Sequence, residues 1–191
     1  MSVVYSDHST MNSPLNNNSP LYDQSPFGAG RNDLLNYSYD FTTNLQITNY
    51  EKSLIFKFLI NHSFNYLITN YQNKLHASSM QNMCQFVLLL FKRTNLSLQQ
   101  FQKLLIIMIR YLNKNQTIVL SIKQIIIGCL IKIMGVDSKN WSQITGLSLE
   151  NLTLLKNHIN LDHDEMIITE DELLELNDHM KSLVYSKFDV I

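Results

Sequence analysis

Side chains able to do chemistry are few in this 191-residue chain, and most of them stand apart from one another. The densest run is Asp162-His163-Asp164-Glu165, residue types that serve as metal ligands or as an acid–base pair. Consecutive residues on a connection between helices seldom converge on one ion, so the run reads as a solvated loop. His62, His76, His158 and His179 show no ligand spacing with one another. A phosphate-cradling glycine loop, a zinc pattern and a nucleophile with a recognisable base are all missing from the sequence. No catalytic residue, metal or cofactor is therefore expected, and the chain reads as a non-enzyme.

Chemistry done to the chain is easier to place. Ser13, Ser19 and Ser25 each precede a proline, and proline-directed kinases read an extended Ser-Pro unit. They are the candidate phosphorylation sites. All three prolines of the chain, Pro14, Pro20 and Pro26, lie in this part, where Asn, Ser, Gly and Asp dominate and no apolar periodicity survives. Residues 1–45 are expected to form a disordered tail.

The formal net charge of −1 conceals a division along the chain. Residues 46–161 carry twelve Lys and Arg against Glu51, Asp137 and Glu150, a net of +9. Residues 162–191 carry nine acids against Lys181 and Lys187, a net of −7. The basic residues do not cluster in sequence, which favours protein docking or plain solvation over a nucleic-acid footprint. Cys84 and Cys129 sit far apart inside apolar runs, as reduced, buried thiols of a nuclear or cytoplasmic protein do. The start lacks a basic region followed by an apolar one, so secretion is not indicated. Ile125–Met134, the longest apolar stretch, is too short to span a bilayer and contains Lys132, so no membrane partner is expected.

The elements that position these residues are helices. Beyond residue 31 there is no proline, and apolar residues recur at helical spacing, which predicts an all-α domain. Start signals place helices from Ser53 to about Asn70, and from about Ser79 to Arg93. Ser97 with Gln100 and Ser121 with Gln124 form capping boxes for two more, the first ending near Lys114 and the second stopped by Gly135 as a left-handed C-cap. Ser148 opens a helix through Leu152, Leu155 and Ile159, and Thr169 with Glu172 caps a last one reaching about Tyr185. The helix after Ser121 is apolar around nearly its whole circumference and belongs at the centre. Gly128 in its middle costs about 1 kcal/mol of helix propensity relative to Ala, which a close helix crossing would explain.

In this setting Trp141-Ser-Gln-Ile-Thr-Gly-Leu147 resembles the Trp-x-x-Ile-Ser-Gly-Leu corner of fungal PCL-type cyclins, regulatory subunits of a phosphate- and nutrient-responsive cyclin-dependent kinase. Phe86–Thr94, Ile106–Lys114 and Ile125–Met134 are similar, in order, to that family's first, second and central box helices. The resemblance runs from about Ser79 to Leu174. It implies a cyclin-box fold over residues 46–191, five helices around a central apolar one with one preceding helix, and no second repeat.

The resemblance also implies a partner, a cyclin-dependent protein kinase held in a heterodimer, together with that kinase's protein substrates. The residues carried over to the kinase-facing surface are Lys132, Ile133, Leu155, Lys156 and Ile159. Lys132 matches the family's lysine at the end of the central helix, whereas Lys156 stands where the family has a glutamate. Two alternatives remain open at this point, a divergent cyclin-fold adaptor that activates no kinase and a nucleic-acid-binding protein of the same fold.

Overall fold

The computed structural model describes residues 41–43, 45, 48–75 and 80–188. The described part is helical, and no strand occurs among its residues. The longer helices are α1 (Asn49–Asn70), α2 (Met80–Thr94), α3 (Leu98–Lys114), α4 (Ile122–Met134), α6 (Leu149–His158) and α8 (Glu170–Phe188). Two short ones, α5 (Trp141–Thr145) and α7 (His163–Met166), lie in the connections. One-turn 3-10 segments cover Phe41–Thr43 and Val136–Ser138.

The starts of α3 and α4 follow the sequence signals. Ser97 Oγ accepts a hydrogen bond from the Gln100 backbone N–H while the Gln100 side-chain oxygen accepts one from the Ser97 backbone N–H, and Ser121 with Gln124 repeats the arrangement. The same box made by Thr48 and Glu51 starts α1 four residues before the expected Ser53. Phe41 is buried, so packed structure extends into the segment whose composition reads as tail.

Helix α4 forms the centre, with eight of its thirteen residues buried, from Ile122 through Ile125–Ile131. Its reason for a glycine is geometric. A Cβ built on Gly128 would lie 2.8 Å from Ile159 Cγ1 and 3.0 Å from the Leu155 carbonyl oxygen. Helix α6 thus crosses α4 backbone to backbone, and only a residue without a side chain fits.

At the end of α4 the outcome differs from expectation. Gly135 has φ 90° and ψ 147°, a positive φ with extended ψ instead of the left-handed helical cap. Its carbonyl is occupied, accepting Trp141 Nε1 at 3.0 Å and Ser138 Oγ at 2.8 Å. The left-handed cap is found at Gly146, with φ 75° and ψ 9°, where it ends α5. Buried Trp141 therefore hangs the corner from the end of α4, and Arg93 ties the same corner to α2 by donating to the Ile144 carbonyl at 2.7 Å.

Candidate functional site

The C-terminal end of α4 meets the C-terminal ends of α3 and α6 and the connection that follows α6. Lys132, in the last turn of α4, is half-buried and donates from Nζ to the Leu161 carbonyl at 2.7 Å. That contact places a cation at carbonyl-rich helix ends, where the backbone dipoles favour it. Lys114, at the end of α3, pairs with Glu165 at 2.5 Å. Beside it, Asn115 and Asn160 exchange amide hydrogen bonds of 3.0 Å in both directions, closing α3 against the chain after α6.

Charge at this end is unbalanced. Desolvation lowers the pKa of the Lys132 ammonium below the usual lysine value. Lys156 and Lys114 lower it further, while Cys129 and Glu165 act in the opposite direction. Lys132 and Lys156, both expected at a partner surface, thus feel one another. Lys132 turns its ammonium to the Leu161 carbonyl. Lys156 is half-buried and makes no ion pair among the described residues.

Of the five residues expected at a partner surface, Lys132, Ile133 and Lys156 reach solvent in part. Ile133 packs against the core as it does so. Leu155 and Ile159 face inward, with Ile159 wholly buried against Gly128, and present no surface as placed here. Ser13, Ser19 and Ser25 lie outside the described residues.

The acidic run takes a form that composition alone does not suggest. Asp162 is the N-cap of α7, accepting from the Glu165 backbone at 2.9 Å, and the Glu165 carboxylate accepts from the Asp162 backbone at 2.9 Å. Residues expected as loop therefore form one helical turn, and Asp162-x-x-Glu165 is itself the capping-box spacing that signals it. The Asp162 carboxyl is held below its ordinary value, first by the Glu165 backbone donor. No group of three or more His, Cys, Asp or Glu that could hold a metal ion occurs among the described residues.

A second polar arrangement, not anticipated from sequence, joins α3 to α8. Arg110 donates from Nη1 to the carbonyls of Glu165 and Ile167, at 2.7 and 2.6 Å, and from Nη2 to the Glu172 carboxylate. Glu172 also caps α8, accepting from the Thr169 backbone at 2.8 Å. About two turns back along α3, buried Gln102 donates to Asn177 Oδ1 at 3.1 Å, while Gln102 Oε1 has no hydrogen-bond partner. The only prior signal for this seam was a polar residue at a core position of an otherwise apolar face.

Cys84 and Cys129 are free and buried, and burial raises both thiols above their usual pKa, Cys129 far above it. No described helix is long and apolar enough to cross a membrane. No protein-family model, no curated protein and no solved structure matches the chain.

Proposed function

We propose that this chain is a cyclin-like regulatory subunit that binds and activates a cyclin-dependent protein kinase and helps to select its substrates. The motifs from Phe86 to Leu147 support this reading, and one geometric observation carries it. A largely apolar central helix ends at a surface, where Lys132 and Ile133 of α4 emerge near Lys156 of α6. A partner helix laid across that face would meet an apolar edge and two ammonium groups short of counter-charge, so the partner's contribution is acidic. The phosphoryl chemistry then belongs wholly to the kinase. The chain's part is to hold the kinase's mobile helix inward, which completes the kinase's own Lys–Glu pair. Moving such a switch from mostly off to mostly on takes about 5 kcal/mol of differential binding, within reach of a standard-sized interface.

A cyclin-fold adaptor that activates no kinase is the second reading. It is favoured by the exchange of the family's glutamate for Lys156 and by the inward hydrogen bond that already engages Lys132. Purifying the full chain from its native cells and assaying bound proline-directed kinase activity separates the two. The activating reading expects kinase activity that Lys156→Glu weakens severalfold. If the wild type carries none and Lys156→Glu gains it, the adaptor reading stands in its place.

A further inference from the structure

On a different face, the seam between α3 and α8 opens into an apolar trough. One hollow of about 310 Å³ is lined chiefly by Tyr66, Leu67, Leu105, Leu176, Met180 and Leu183. A second hollow, of about 480 Å³, adjoins Arg110, Glu172 and Glu175. The two share Ile109, Leu176 and His179, so they lie next to one another along the same seam. On α8 the lining runs from Glu172 to Leu183, which at the helical rise is a length of about 16 Å, or roughly three turns. Tyr66, on the α1 side, is 58% exposed and extends the apolar wall of the trough outward.

The charge beside the trough is one-sided. Asp171, Glu175 and Asp178 follow one another at i, i+4 and i+7 along α8 and are all exposed; Glu175 lines the trough, and Asp171 and Asp178 continue the stripe outward on the solvent side of the helix. None of the three makes an ion pair among the described residues. The cation that reaches in from α3, Arg110, is already engaged by Glu172 and two backbone carbonyls. Lys181, on the same helix, lies over the Tyr185 ring. An apolar trough of this length, with Glu175 at its rim and two further carboxylates beyond it, has a defined complement. An anionic membrane surface is not that complement, since like charges would face each other.

We propose that the α3–α8 trough docks a short amphipathic helix of a partner protein, its apolar face seated against Tyr66, Ile109, Leu176 and Leu183 and its Lys or Arg edge set against Asp171, Glu175 and Asp178. The mode is helix-in-groove recognition, with apolar anchors at i, i+4 and i+7 supplying affinity and the charged edge supplying orientation. This surface is separate from the end of α4 and does not depend on the chain being a kinase regulator.

The test uses the full chain and synthetic peptides of about twelve residues, the length of about three turns. One peptide carries leucines at i, i+4 and i+7 with lysines along one edge, a second replaces the lysines by glutamates, and a third replaces the leucines by serines. The basic amphipathic peptide is expected to bind, measured by fluorescence anisotropy at low salt. The acidic one should bind about tenfold more weakly, and the serine one not at all. The double variant Glu175→Lys/Asp178→Lys should reverse the charge preference, and Leu176→Arg should abolish binding. If circular dichroism shows Leu176→Arg misfolded, Tyr66→Ala takes its place. Equal binding of acidic and basic peptides, a preference unmoved by the charge reversal, or no binding of any peptide overturns the proposal. So does concentration-dependent self-association in sedimentation that Leu176→Arg removes, since the occupant is then a second copy.

Discussion

Two seams run through this molecule, and they are built on opposite principles. Between α4 and α6 the backbones close to contact, Gly128 against the Leu155 carbonyl and Ile159. Between α3 and α8 the helices are joined by polar groups, Gln102 to Asn177 and Arg110 to Glu172, and an open trough lies alongside. The dry seam has one solution, because close packing admits almost no alternative side chain. The polar seam fixes register through hydrogen bonds and leaves apolar surface uncovered. Rigidity thus lies where the centre of the fold is set, and unspent surface lies where a partner could be received.

The largest effect that would break this contrast is at Ile159. Ile159→Ala removes a wholly buried side chain from the tight crossing and is expected to cost about 3 kcal/mol, read from urea unfolding. A cost under about 1 kcal/mol would mean that the crossing relaxes easily and is not the rigid element described.

Gly128→Ala is next. It gains up to about 1 kcal/mol of helix propensity but drives a methyl group toward a backbone oxygen that has little freedom to move, for a net loss of about 1–2 kcal/mol. Its effect should shrink when combined with Ile159→Ala, because the two side chains compete for one space. Additive costs in the double variant would assign the clash to the Leu155 carbonyl and not to Ile159.

The smallest of the three sharpens the polar seam. Arg110→Ala removes two hydrogen bonds to carbonyls and the pair with Glu172, at a partly exposed position, and should cost about 1–2 kcal/mol near neutrality. Burial raises the Glu172 carboxyl, but hydrogen bonds from Thr169 and Arg110 outweigh it and hold the pKa below the ordinary value of 4.5. A depressed carboxylate contributes stability above the unfolded pKa and loses it as pH falls through the folded one. The difference between wild type and Arg110→Ala should therefore narrow in acid, measured by unfolding at neutral and acidic pH. A constant difference would assign the loss to the carbonyl contacts alone.

Much of this architecture is legible in the chain. Ser97-x-x-Gln100 and Ser121-x-x-Gln124 mark helix starts because a capping box depends on side chains three residues apart and on little else. The same grammar is present at Thr48-x-x-Glu51 and Asp162-x-x-Glu165, where acidic side chains invite a reading as charge before one as cap. The close crossing announced itself through Gly128, since a glycine inside an apolar helix is costly unless space demands it. Gly135 misled because a glycine after a helix signals positive φ but not which ψ accompanies it. The carbonyl hydrogen bonds from Trp141 and Ser138 go with the extended value.

The candidate site was legible only in part. Lys132 stands out in sequence as the charge near the end of an apolar helix, but its acceptor, the Leu161 carbonyl, is 29 residues away. Leu155 and Ile159 are one helical turn apart with Lys156 between them, and spacing alone does not say which face is turned inward. The trough has no sequence signature, because its walls come from α1, α3 and α8 and its residues are ordinary core types.

The sequence by itself determined that the described chain is helical, where most helices begin, and which helix lies at the centre, since propensity, capping and periodicity act over a few residues. Tertiary structure alone decided which lysines share a surface, which candidate residues are buried, and where apolar surface is left uncovered. Those outcomes depend on how helices distant in sequence approach one another, and that distance is set by the sum of their side chains, not by any one of them.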